Sequence, residues 1–130
     1  MSENLDLVRS IYADWERGDF TKSDWAHPEI EYEITDGPHP GRWIGIVAVA
    51  DVLHDELRAW DDFRANATGF RELDAERVLA LLQYRASGKT SAIEVNQESA
   101  EVFHVRDGKV TRIVVYWDRD RALADLGLKE

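Results

Sequence analysis

Cysteine is missing from all 130 residues, and with it go disulfides, thiolate nucleophiles and cysteine metal sites. Basic residues are in short supply: 16 Lys and Arg stand against 26 Asp and Glu, a formal net charge of −10. Such a surface repels phosphate backbones, and its cations are scattered rather than gathered in a stripe, which argues against nucleic acid as a partner. Long hydrophobic runs are also lacking. No stretch approaches the roughly 18 consecutive apolar residues of a membrane span, and the acidic, amphipathic opening "MSENLDLVRS" is unlike the basic then apolar start of a secretory signal. A cytoplasmic protein that avoids membranes is expected. The four histidines, His27, His39, His54 and His104, fall on different elements with no HExxH-type pair, so no zinc is expected. Nothing calls for a cofactor.

What remains is the balance of a globular protein, with 44% apolar and 32% charged residues, and a length that suits one domain over residues 1–130 with a single core. Five tryptophans exceed what packing alone usually requires. Large rings also line ligand pockets and subunit interfaces.

Two periodicities divide the chain. Leu5, Leu7, Val8, Ile11, Tyr12 and Trp15 recur at helical spacing, with Ser2 to cap the start and Gly18 to end it. "KSDWA" reads as a short second helix broken by His27-Pro28, and "EIEYEI" as a strand. After the turn-rich "TDGPHPG" and "GRWIG", the stripe Val49, Val52, Leu53, Leu57 and Trp60 predicts a helix over 46–60. The period then drops to two. "FRANATGFREL", "RVLALLQYRAS", "SAIEVNQESAEVFHVR" and "KVTRIVVYW" are strands joined by short polar turns, the last pair by the hairpin signal Asp107-Gly108. Asp118 caps a closing helix, "RDRALADL", ended by Gly127. Helices first and an antiparallel meander afterwards make an α+β class.

Alternation assigns the faces of these strands. On the strand before the last hairpin, Ile93, Val95, Gln97, Ser99, Glu101, Phe103 and Val105 share one face. If that face lies under the helices, Gln97, Ser99 and Glu101 form a polar island in an apolar surface. Arg112 lies across the hairpin with the wrong parity to reach it. A carboxyl in a cavity poor in water and without a cation should titrate above the usual value of about 4.3. "RVLALLQY" and "VTRIVVYW" are apolar on both faces, and a sheet with two apolar faces needs two covers. The helices supply one; the other is expected to be a second subunit, giving a homodimer through the outer face.

Other signals reduce to structure. "SGKT" lacks the earlier glycine and the following helix of a phosphate loop and reads as a hairpin turn. His27 belongs to a turn, His54 to the solvent side of its helix and His39 to a loop. Asp118 and Asp120 suit capping better than catalysis.

The element order, with "LVRSIYADWERGDF", "HPEIEYE", "GRWIG", "FHVRDGKV" and "VYWDRDRALADLGL", resembles the nuclear transport factor 2-like superfamily. More narrowly, the chain is similar to the SnoaL-like polyketide cyclase and ketosteroid isomerase-like group. That resemblance implies a cone-shaped, curved antiparallel sheet, the cystatin-like architecture, packed on N-terminal helices with an apolar pocket at its open end. It places Glu101 where steroid isomerases hold an oxyanion, Ile34 (with Glu33 beside it) where they keep a base, and Ile11 (with Tyr12 next) where they keep a helical tyrosine. The acid of the cyclases corresponds to Val115, their strand histidine to Ser99, and a pocket-lining aromatic of the isomerases to Trp117. Neither catalytic set is complete. Two readings follow: a binding protein for a small, mostly apolar molecule held among Trp15, Tyr32, Trp43, Trp60, Phe103, Val115 and Trp117 and oriented by Gln97, Ser99 and Glu101, or an isomerase, cyclase or hydrolase with Glu101 as acid/base. A structural dimer without a ligand is the third.

Overall fold

A computed structural model describes residues 3–17, 24–37, 40–59, 64–87 and 94–128. In chain order the elements are α1 (Glu3–Glu16), β1 (Ala26–Ile34), β2 (Gly41–Ile44), α2 (Ile46–Ala59), β3 (Arg64–Glu72), β4 (Arg77–Ser87), β5 (Glu94–Arg106), β6 (Lys109–Tyr116) and α3 (Arg119–Asp125). The strands form one sheet in the order β2-β1-β6-β5-β4-β3.

The meander from β3 to β6 is antiparallel as its turns require, and β1 and β2 form an antiparallel pair at the edge. The one departure from an antiparallel sheet is β1 beside β6, which runs parallel. Parallel neighbours need a long crossover, and here it is everything from β2 to β5. Neither β2 nor this pairing is visible in the strand alternation, because β2 is four residues long.

"KSDWA" does not form the expected helix where it is described. Asp24 and Trp25 make a turn, and Ala26 already belongs to β1. Val110 donates its N–H to Trp25 O at 2.8 Å, and Ala26 pairs with Val110. The strand runs through His27-Pro28 because the β1–β6 register shifts between Ala26 and Glu31; a proline without an N–H is tolerated at such an irregularity. His27 Nδ1 accepts from the Glu29 N–H at 3.0 Å. Ser2, Gly18, His39, Trp60 and the turn after Ser87 lie outside the described residues.

The face assignment holds. Val8, Ile11 and Tyr12 on α1 are buried against Val78, Ala80, Leu82 and Tyr84 of β4, Phe103 and Val105 of β5, and Ile113 and Val115 of β6. The opposite residues, Leu79, Ala100, Val102, Val114 and Tyr116, form a second cluster, and α3 covers it with Ala122 and Leu123. Val114 and Tyr116 are thus 7% and 9% exposed in the single chain. The second cover that the alternation demanded is, over this half, the chain's own C-terminal helix. Over the other half the outer face is charged. Arg112 reaches Glu31 at 3.0 Å and Glu33 at 2.5 Å, and Arg42 reaches Glu31 at 2.5 Å.

Asp118 caps α3 as read, its carboxylate accepting from the Asp120 N–H, and Gly127 follows with φ +70°. Truncating Leu123 to Ala should therefore uncover the outer cluster and destabilise the fold by about 2–3 kcal/mol. Urea unfolding checks this; a change within experimental error would mean that α3 is not the cover.

Candidate active or binding site

The inner face is built in rows across the strands. One row runs Ile34–Val115–Glu101–Ala80–Phe70 and the next Tyr32–Ile113–Phe103–Val78. Glu101 is the polar member of its row, flanked by Val115 and by Ala80. It is 4% exposed.

The partner of this acid comes from the helix above. Tyr12, 1% exposed, donates its hydroxyl to Glu101 Oε1. Its ring is held by Trp15, Phe103 and Phe70, with centroids at 5.2, 5.6 and 5.8 Å. The family correspondence puts Ile11 at the place of the helical tyrosine, with Tyr12 one residue on. Ile11 is core, and the hydroxyl arrives one residue later. The signal was present in the α1 stripe, where Val8, Tyr12 and Trp15 share the buried face at i, i+4 and i+7 spacing.

Burial pushes the Glu101 carboxyl up to about 7, against a smaller opposing pull from the Tyr12 hydrogen bond. Burial first and the Glu101 charge second hold Tyr12 well above the ordinary phenol range, so the hydroxyl stays protonated and donating. Desolvation is the leading cause on both groups. The carboxyl changes charge near neutral pH; its partner does not.

Gln97 and Ser99 do not help Glu101. Both donate to the Trp117 carbonyl, Gln97 Nε2 at 3.1 Å and Ser99 Oγ at 2.6 Å. The β5–β6 ladder stops at Ala100 and Tyr116, and these side chains take over where it ends. Trp117 stacks on Tyr84 with centroids 5.6 Å apart and planes at 23°. Among the other expected residues, Phe103 and Val115 are buried beside Glu101, Trp15 packs on Tyr12 and Trp25, and Tyr32 and Trp43 make a separate pair with centroids 6.2 Å apart. Trp60 lies outside the described residues. At the place where a base would stand, Ile34 is apolar, while Glu33 turns to the outer face and pairs with Arg112. Among the described residues no group of three or more His, Asp or Glu is placed to hold a metal, and no helix is long and apolar enough to cross a membrane.

No family model and no curated protein matches the chain. Solved structures do. TerC co-crystallised with polyporic acid superimposes with a TM-score of 0.77 at 20% identity, over 96% of this chain and 98% of that one. An NTF2-like protein of unknown function from Burkholderia pseudomallei gives 0.79 at 19% identity, over 95% and 97%. A proposed polyketide cyclase from Xanthomonas campestris pv. campestris gives 0.72 at 22%, over 93% and 94%. The chain has the nuclear transport factor 2-like fold. In this NTF2-like sheet the acid lies on the side covered by α1, in the row between Val115 and Ala80.

The position of Glu101 has a measurable sign. Its folded value is raised, so the stability it contributes is fully present below the unfolded carboxyl value and is lost as pH rises through about 7. Relative to the wild type, Glu101→Gln should gain roughly 3 kcal/mol between pH 4 and pH 8. Parallel stability–pH curves for the two proteins in urea would refute the burial argument. Tyr12→Phe should raise the Glu101 midpoint further, because the lost hydrogen bond was lowering it; carboxyl NMR titration reads that shift.

Proposed function

We propose that the inner face binds a small, largely apolar molecule through one hydrogen-bonding oxygen or nitrogen, with Glu101 and Tyr12 as its polar anchor. One observation carries this: a nearly buried carboxyl accepts from Tyr12, and no second donor reaches it among the described residues. Buried polar groups normally find partners, and an apolar site with a few convergent polar atoms is the usual form of a small-molecule pocket. Gln97 and Ser99 support the wall rather than the ligand. TerC, of the same fold, has been co-crystallised with a small molecule, polyporic acid, which supports a ligand-binding role for this fold.

A second reading, an isomerase, cyclase or hydrolase with Glu101 as acid/base, is favoured by the carboxyl's midpoint near 7, which leaves both protonation states populated at neutral pH. The apolar Ile34 at the expected base position favours binding over turnover. We also propose a homodimer through the part of the outer face that α3 leaves open, and a cytoplasmic location in keeping with the cysteine-free composition.

Titration with 2-naphthol, followed by tryptophan fluorescence, tests the main reading. Saturable binding is expected. The anion 2-naphthoate should bind at least about tenfold more weakly, because among the described residues a buried negative charge beside Glu101 has no cation to meet it. Glu101→Gln should weaken naphthol binding at pH 8, where the acid is charged, more than at pH 5. Absence of saturable binding to folded protein would sink the proposal.

A further inference from the structure

Residue 117 directly follows β6, beyond the last ladder pair Ala100–Tyr116, yet its backbone is fully bonded. Its carbonyl takes the Gln97 and Ser99 side chains. Its N–H goes to Asp36 Oδ1 at 2.7 Å, while Asp36 Oδ2 accepts from the Asp118 N–H at 3.2 Å. Both carboxylate oxygens of a β1–β2 loop residue are therefore committed to two consecutive amides at the end of β6.

The loop is shaped for that reach. Thr35 donates its backbone N–H and its hydroxyl to Val115 O, at 3.0 and 3.1 Å, and the hydroxyl also lies 3.1 Å from Asp36 Oδ1. Gly37 has φ +88°, in the left-handed region that favours glycine, and a Cβ there would stand 2.9 Å from Trp117 Cβ. The loop thus lies directly against the base of the Trp117 side chain, whose ring stacks on Tyr84.

We infer that Asp36 is a positioning residue of the ligand site: by holding the Trp117 and Asp118 amides it sets the Trp117 ring against Tyr84 and so determines the aromatic wall that a planar apolar ligand packs on. The inference rests on the binding reading above but makes a claim about Trp117 that needs no ligand. Asp36 touches neither the ligand nor Glu101. It acts through the backbone of Trp117.

Asp36→Asn tests this. The amide keeps one acceptor and turns a donor toward the other backbone N–H, so one of the two bonds is lost. Near-ultraviolet circular dichroism should show a reduced Trp117–Tyr84 band, and 2-naphthol affinity should fall about tenfold or more. Thr35→Ala is the control: it removes the hydroxyl's contacts with Val115 O and Asp36 Oδ1, keeps the Thr35 backbone N–H on Val115 O and leaves the Trp117 amide bond in place, so it should lower the melting temperature while keeping the band and the affinity. An Asp36→Asn protein with wild-type band and affinity, or a Thr35→Ala protein that loses both, would overturn the proposal. If the wild type does not bind 2-naphthol, the binding reading falls, and the dichroism comparison still decides the role of Asp36. If Asp36→Asn does not fold, Asp36→Glu decides. It keeps both acceptors but displaces the carboxylate by one methylene, so band and affinity should both fall, and a folded Asp36→Glu protein with wild-type band and affinity would refute the inference.

Discussion

A carboxyl group in the middle of an apolar sheet has to be satisfied by something, and here, among the described residues, the donor is a phenol from the helix lying across it. The bond between Tyr12 and Glu101 ties α1 to the centre of the sheet. Removing one partner would leave the other buried and unpaired, the costly half of any hydrogen-bond account. The rings around Tyr12 aim the hydroxyl, since Trp15, Phe70 and Phe103 contact it from α1, β3 and β5. Packing therefore sets the polar contact, and the polar contact fixes where the helix sits. Burial also holds the acid near neutrality, so the same constraint that orders the core supplies a group able to gain or lose a proton at neutral pH.

How much of this could be read from the residues alone depends on whether the interaction is local. The alternation along 97–105 correctly placed Glu101 inward and Arg112 outward, because parity is a property of one strand and its hairpin neighbour. The α3 cap at Asp118 was equally legible, being a matter of a few adjacent residues. The pairing of Tyr12 with Glu101 was not, although the family resemblance put Tyr12 beside the place of a helical tyrosine, because its partner is 89 residues away and a tyrosine in an apolar stripe looks like core until a carboxyl is found beneath it. The parallel pairing of β1 with β6 was hidden for the same reason. No sequence signal marks which strand will close beside another after a long crossover.

The reading of Gln97 and Ser99 as an island of ligand contacts shows a different limit. Their face was correct, yet their hydrogen bonds were already claimed. A strand that outruns its partner leaves a backbone carbonyl exposed, and polar side chains on the neighbouring strand are the nearest donors for it. Here they satisfy Trp117 O, which leaves Glu101 as the polar inward group of β5 with unused hydrogen-bonding capacity. Polarity on an inner face therefore marks a site only after the backbone's own demands have been met.

The end of β6 is where the two sides of the molecule meet. Residues alternate along the strand, so Val115 faces the acid and Tyr116 faces α3. Trp117 returns to the inner side, and Asp118 starts the helix that covers the outer side. One loop carboxylate holds the amides of the last two. A disturbance there must reach both the inner wall and the outer cover, because no residue intervenes to absorb it. The hydrophobic requirement for two covers and the placement of the aromatic wall are thus met by a single junction of four consecutive residues. A stable outer cover is consequently a condition for an ordered inner site.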